Sequence, residues 1–209
     1  MDVSITEVNA WPEKYYTQAK ELYERSFPIE ERNDFDQLLN RGPVSDRPRM
    51  LISTDEDKLL GFSIFRPFAQ ASLGYLWYLC VDENTRGMGI GAKLYKQSVD
   101  LLQEGQSLKG MIFEVERLDS EPHDLYGDPI RRVRFYERLG ARLILGYDYW
   151  QPPIPPHGPV PLQLMFHPLG LQDCTQDDLA CIVSDFLHYG QGMKDVPVDP
   201  SDLRLGSAE

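Results

Sequence analysis

Apolar positions along the chain alternate between two periods. Residues 3–10, VSITEVNA, alternate polar and apolar and predict a short strand. In EKYYTQAKELYERSF the residues Tyr15, Ala19, Leu22, Tyr23 and Phe27 recur at helical spacing. Pro28 is suited to open a second helix, PIEERNDFDQLLN, which Gly42-Pro43 would end. Two apolar runs, 49–53 and 58–68, joined by the polar turn TDED, predict a hairpin. YLWYLCV at 75–81 predicts a strand, a glycine-rich turn leads into a helix over about 90–104, and MIFEVE at 111–116 predicts the next strand. IRRVRFYERLG then forms a short helix stopped by Gly140. ARLILGYDYW and PVPLQLMFHPL predict two more strands, separated by the proline-rich PPIPPHGPVP. TQDDLACIVSDFLHYG is a last helix before an acidic tail that starts at Met193.

No internal repeat and no domain-length linker interrupts this order. It predicts one mixed α/β domain over 1–192, followed by the tail 193–209. The chain has 209 residues, 42% of them apolar and 26% charged, which is a globular rather than a disordered composition. No apolar run approaches the roughly 20 residues that span a bilayer, and the start lacks the pattern of a signal peptide. Cys80, Cys174 and Cys181 are odd in number and lack metal-ligand spacing, so free thiols in a reducing, cytoplasmic setting are expected and no metal is. A net charge of −12 repels phosphate backbones and argues against a nucleic-acid partner. It would favour a cationic substrate, although an acidic surface also serves solubility alone.

The chemistry concentrates in Arg86-Gly87-Met88-Gly89-Ile90-Gly91-Ala92. Alternating glycines permit left-handed or crowded backbone, and the helix that follows starts with amides lacking intrahelical partners. Strand, glycine turn and helix N-terminus together make an anion cradle, with Arg86 as a cation at its entrance. A P-loop would need Gly-Lys-Ser/Thr at the helix start, and it is absent. Gly87, Gly89 and Ala92 do fit the dinucleotide pattern G-x-G-x-x-A, but Asp82 to Arg86 separate strand from glycine, and further βαβ units are lacking. A glycine turn with no ligand is the plain alternative.

Arg86-x-x-Gly89-x-Gly91 resembles the R/Q-x-x-G-x-G/A signature of the GNAT acetyltransferases. Cys80-Val81-Asp82 is similar to the family's strand end, Phe113-Glu114-Val115 to its L-E-V strand, and Phe135-Tyr136-Glu137-Arg138-Leu139-Gly140-Ala141 to its F-Y-E-x-x-G-F segment. These elements stand in the family's order over roughly 75–147. Residues 1–70 match in element order only. The resemblance implies the GNAT fold: a mixed, mostly antiparallel sheet, splayed in the centre between the strands at 75–81 and 111–116 and flanked by helices. It also implies acetyl-CoA as co-substrate. The pantetheine arm would lie in the splay on the backbone of Leu79, Cys80 and Val81. The pyrophosphate would rest on amides from Arg86, Gly87, Met88, Gly89, Ile90, Gly91 and Ala92.

The same resemblance implies an N-acetyltransferase acting by direct attack of a primary amine, carried by a small molecule or a peptide. Such a reaction must take a proton from the ammonium and give one to the departing thiolate. Tyr136 stands at the family's general-acid tyrosine, with a core aromatic as the alternative. Glu114 matches the glutamate that accepts the amine proton through water. It lies 22 residues before Tyr136, more than the family's usual separation. The inserted RLDSEPHDLYGDP brings His123 and Asp124 as rivals, and strand alternation gives Glu116 the same direction as Glu114. On the neighbouring strand Tyr75 replaces the carboxylate that some members carry there. Arg131, Arg132 and Arg134 read as a solvated helix face or as phosphate contacts. The competing function is a GNAT-fold acyl-CoA binding or regulatory module without turnover. The pattern allows a homodimer.

Overall fold

The computed structural model describes residues 3–40, 44–104, 107–120, 128–171, 173–194 and 196–208. The chain divides into two compact units, residues 1–67 with 76–105, and residues 68–75 with 106–209.

In the first unit the order is β1 (Ser4–Val8), α1 (Glu13–Ser26), β2 (Arg49–Asp55), β3 (Lys58–Phe68), β4 (Leu73–Val81) and α2 (Ile90–Gln103). β2 lies between β1 and β3, antiparallel to both, and β4 bonds to β3. α1 buries Ala19, Leu22 and Tyr23, spaced to share one face, and carries Glu13 and Arg25 where its dipole favours them. Tyr23 packs with Phe35, Leu38, Met50, Ile52, Phe62, Ile64 and Tyr78 in one core cluster. α2 starts at Gly89 and ties to the sheet through Ser63 and Ser98, whose buried hydroxyls are 2.8 Å apart. Near its end Arg49 Nη1 donates to Leu101 O at 2.5 Å.

The helix predicted over 28–40 is not formed; two short 3₁₀ turns, Ile29–Glu31 and Phe35–Asn40, stand in its place. Local and tertiary bonds both win over propensity. The Asp34 carboxylate accepts from the Asp36 amide, an Asx-type turn. The buried Tyr78 hydroxyl donates to Glu31 O and accepts from the amide and side chain of Asn33, and the Tyr23 hydroxyl donates to Asn33 O. Gly42-Pro43, the predicted stop, lies outside the described residues.

The second unit holds the first three residues of β4, then β5 (Gly110–Glu116), α3 (Pro129–Glu137), β6 (Arg142–Leu145), β7 (Tyr149–Gln151), β8 (Val160–Pro168), α4 (Gln176–Asp185) and β9 (Arg204–Gly206). Leu73–Tyr75 run parallel to Gly110–Ile112. β5 pairs along its whole length with antiparallel β8, which also pairs with β6 and β7. The result is the mixed, mostly antiparallel sheet with flanking helices that the sequence predicts.

Two details depart from expectation. The strand predicted over 141–150 is broken into β6 and β7. Gly146, at φ +84°, takes the left-handed region, where a Cβ would sit 2.1 Å from Asp202 O. The presumed tail after 193 supplies β9, whose Arg204–Gly206 pair with Leu143–Leu145 of β6. Residues 204–206 are therefore a strand of the sheet.

Candidate active site

In the first unit the glycine turn follows β4. β4 alternates buried and half-buried residues up to Val81, and its Cys80 side chain is buried in the core, where burial pushes the thiol well above its ordinary value. Of Cys80 the backbone is what remains for a ligand. Gly61 permits the strand's close seating: a Cβ there would stand 2.6 Å from Cys80 O. Asp82 ends the strand by accepting from the Asn84 amide at 3.0 Å and pairing with Arg25 at 2.6 Å.

The loop from Arg86 to Gly89 is exposed, and Met88 is 49% exposed. Gly87 and Gly89 both hold positive φ, +84° and +79°, which side-chain-bearing residues adopt at a cost. A Cβ on either would meet nothing within 4 Å, so backbone conformation, not crowding by the protein, demands glycine here. The first main-chain bond of α2 runs from Lys93 N to Gly89 O. The amides of Ile90, Gly91 and Ala92 therefore head a helix with no intrahelical acceptor, beneath open space. This arrangement can hold an anionic group such as a pyrophosphate.

In the second unit polar side chains gather on Glu114 in β5. Three donors converge on its carboxylate: Tyr75 Oη on Oε2 at 2.7 Å, Tyr149 Oη on Oε1 at 2.6 Å, and Gln191 Nε2 on Oε1 at 2.9 Å. Both tyrosines are buried, and an aromatic wall holds them: Phe68 stacks on Tyr75, and Phe186 packs against Tyr75 and Tyr149. Burial raises the Glu114 carboxyl above its ordinary value, and the three hydrogen bonds oppose that rise without cancelling it. Burial and then the Glu114 charge push the Tyr149 phenol far upward, so it stays a donor.

Glu116, two residues on, is bound differently. Its Oε1 is ion-paired with Arg132 of α3, and its Oε2 has no partner among the described residues. Arg132 is thus engaged by the Glu116 carboxylate, whereas Arg131 and Arg134 are exposed.

Tyr136 lies on α3, which Asp128 caps through the Ile130 amide, with Pro129 at its first position. Only 8% of Tyr136 is exposed, and its ring packs against Phe113 and Phe135. His123 and Asp124 lie outside the described residues. Sequence reasoning missed Tyr75, Tyr149 and Gln191 as partners of Glu114. Tyr75 stood at a position already singled out, but nothing local marks Gln191, which is 77 residues away in sequence. No metal-ligand cluster is found among the described residues, nor a helix long and apolar enough to cross a membrane.

The family model of the GNAT acetyltransferases matches residues 9–141. A GNAT-family protein from Bacteroides thetaiotaomicron shares the fold with a TM-score of 0.69 and 24% identity, covering 91% of this chain and 99% of its own. Arabidopsis thaliana Naa50, solved in complex with the bisubstrate analogue CoA-Ac-MVNAL, gives a TM-score of 0.56 at 18% identity over 81% of this chain and 100% of its own. The ribosomal-protein-S18-alanine N-acetyltransferase from Escherichia coli gives 0.55 at 16% identity, over 82% and 96%. No curated protein matches significantly. At these identities the structural likeness establishes the fold.

Proposed function

Since the chain belongs to the GNAT acetyltransferase family, we propose that it moves an acetyl group from acetyl-CoA to a primary amine by direct attack. Acetyl-CoA supplies the activated thioester. The observation that carries the reading is the exposed loop at the head of α2, with positive-φ Gly87 and Gly89 and the amides of Ile90, Gly91 and Ala92 lacking an intrahelical acceptor. These amides, with Arg86 and Met88 beside them, receive the pyrophosphate, and the backbone of Leu79, Cys80 and Val81 receives the pantetheine arm. Support comes also from Naa50, whose complex holds a CoA analogue.

Glu114 is the general base, accepting the ammonium proton through water. Its carboxyl is raised toward the range where a base works near neutrality. Tyr136 is the general acid: a phenol of pKa about 10 can protonate a thiolate of pKa about 8–9. The acceptor is a small-molecule or peptide amine, which the net charge of −12 would attract as a cation. A second reading, an acyl-CoA binding module without turnover, draws on the three donors that already occupy Glu114.

One experiment separates them. Acetyl-CoA binding is measured by calorimetry, and thiol release is followed over a panel of free-N-terminus peptides, lysine, polyamines and aminoglycosides. Binding with amine-dependent thiol release supports the enzyme. Binding without release on any amine supports the module, and no binding defeats both.

A further inference from the structure

The Glu114 carboxylate has an asymmetry that the function just proposed does not use. A carboxylate offers about four lone-pair positions, two on each oxygen. Oε1 accepts from both Tyr149 and Gln191, so its two positions are filled. Oε2 accepts from Tyr75. The titratable groups facing the carboxylate are Tyr75 from β4 and Tyr149 from β7. Gln191 is neutral, and Glu116 on the same strand is paired with Arg132 of α3. A phenol oxygen accepts a hydrogen bond while it donates one, so a proton can be handed through it without leaving a charge behind.

We propose that the acceptor's proton reaches Glu114 at Oε2 by way of the Tyr75 hydroxyl, while Tyr149 and Gln191 are positioning residues that keep Oε1 closed to it. The proposal rests on Glu114 being the base. An N–H bond of the ammonium breaks, directly or across one water, and the proton joins Tyr75 Oη. The original Tyr75 proton crosses the existing hydrogen bond, 2.7 Å between oxygens, to Oε2, leaving a neutral tyrosine and a carboxylic acid. The nitrogen lone pair so freed attacks the acetyl carbonyl, the C–S bond breaks, the thiolate takes a proton from the general acid, and the second proton shed by the attacking nitrogen restores that acid. Glu114 returns its proton to solvent after the product leaves.

Gln191 follows the π-helical turn Phe186–Gly190, beyond the segment 9–141 that the family model matches. The C-terminal segment thereby sets which oxygen works. The packing of Tyr75 against Phe68 and Phe186, at 5.7 and 5.3 Å between ring centroids, survives a change to phenylalanine, which deletes one oxygen.

The test uses the full chain with acetyl-CoA and the panel amine that turns over fastest. It measures kcat against pH, and kcat in H₂O/D₂O mixtures, for the wild type, Tyr75→Phe, Tyr149→Phe and Glu114→Gln. Two protons in flight give the wild type a curved dependence on deuterium fraction. Tyr75→Phe is expected to lower the pH-independent kcat by about 10² and to make that dependence linear. Tyr149→Phe removes a donor from the carboxylate, so its acidic limb moves to higher pH while the curvature stays. If Glu114→Gln abolishes the limb but Tyr75→Phe keeps the plateau, the relay is wrong and the base stands. If both tyrosine variants lower the plateau equally and leave the curvature, the network only supports the fold and the relay is again wrong. If Glu114→Gln keeps both limb and plateau, the base reading falls and takes the relay with it.

Discussion

The loop at 86–92 and the cluster around Glu114 solve different problems with different parts of the chain. The loop is built from main chain. Gly87 and Gly89 hold positive φ, the candidate donors are helix-terminal amides, and all of it sits within seven consecutive residues. The cluster is built from side chains on four separate segments, Tyr75, Glu114, Tyr149 and Gln191, brought together by strand pairing and the C-terminal turn. Binding a pyrophosphate needs a fixed backbone shape, which local sequence can encode alone. Setting the proton affinity of one carboxylate needs burial and donors, which only tertiary structure supplies.

If that contrast is right, changes in the two regions should separate catalysis from binding. The largest effect belongs to the chemistry. Tyr136→Phe keeps the ring against Phe113 and removes the hydroxyl. It should lower kcat by about 10²–10⁴, while calorimetry shows acetyl-CoA binding nearly as before. An unaltered kcat, measured where chemistry limits turnover, would remove Tyr136 from the mechanism. Next comes the loop. Gly89→Val forces a β-branched residue to φ +79° and places a side chain in the open space above the helix head. Acetyl-CoA should bind at least about tenfold more weakly, or about 1.4 kcal/mol. Gly89→Asn, which tolerates that φ, divides the cause: weakened binding there too means the ligand approaches the Cα itself. Full affinity in a folded Gly89→Val variant would put the cofactor elsewhere.

The same contrast explains what was legible in the sequence. Loop, strand 75–81 and helix 90–104 were readable because each rests on a local pattern, and so were the β2–β3 hairpin and the helix bearing Tyr136. The strand that carries Glu114 was readable, but the surroundings of that carboxylate were not: Tyr149 was one aromatic among many and Gln191 had no local signal. The predicted helix over 28–40 failed for the same reason, since Tyr23 and Tyr78 hold Glu31 and Asn33 by bonds no periodicity reveals. Gly146 reads as a strand residue until Asp202 is known to pass beside it, and Arg204–Gly206 look like tail until β6 offers an edge.

A subtler test asks whether burial or the three donors dominates at Glu114. With burial ahead, the folded state keeps the carboxyl proton to higher pH than the unfolded chain does. Within the window from the ordinary carboxylate value up to the raised one, the folded state binds more protons, so stability falls as pH rises. Urea midpoints of the wild type and Glu114→Gln, compared across that window, should show the wild type losing ground with increasing pH. A wild type that gains instead would mean that the hydrogen bonds outweigh burial and hold the carboxyl below its ordinary value.

The smallest effect is expected two residues away, and it tests whether the site is as specific as the geometry says. Glu116 shares a strand face with Glu114, so sequence alone leaves both as candidate bases. The structure gives Glu116 a cation, Arg132, and gives Glu114 three neutral donors. Glu116 is engaged by a cation, whereas desolvation raises the Glu114 carboxyl above its ordinary value, which suits it better to accept a proton. The Glu116 and Arg132 side chains keep 17% and 32% of their exposure, so water screens the pair and limits what its loss can cost. Glu116→Gln should therefore reduce stability by only about 0.5–1 kcal/mol and leave kcat and the acidic limb of the pH profile in place. If Glu116→Gln removes the limb while Glu114→Gln spares it, the roles of the two glutamates are reversed, and the donors around Glu114 serve packing alone.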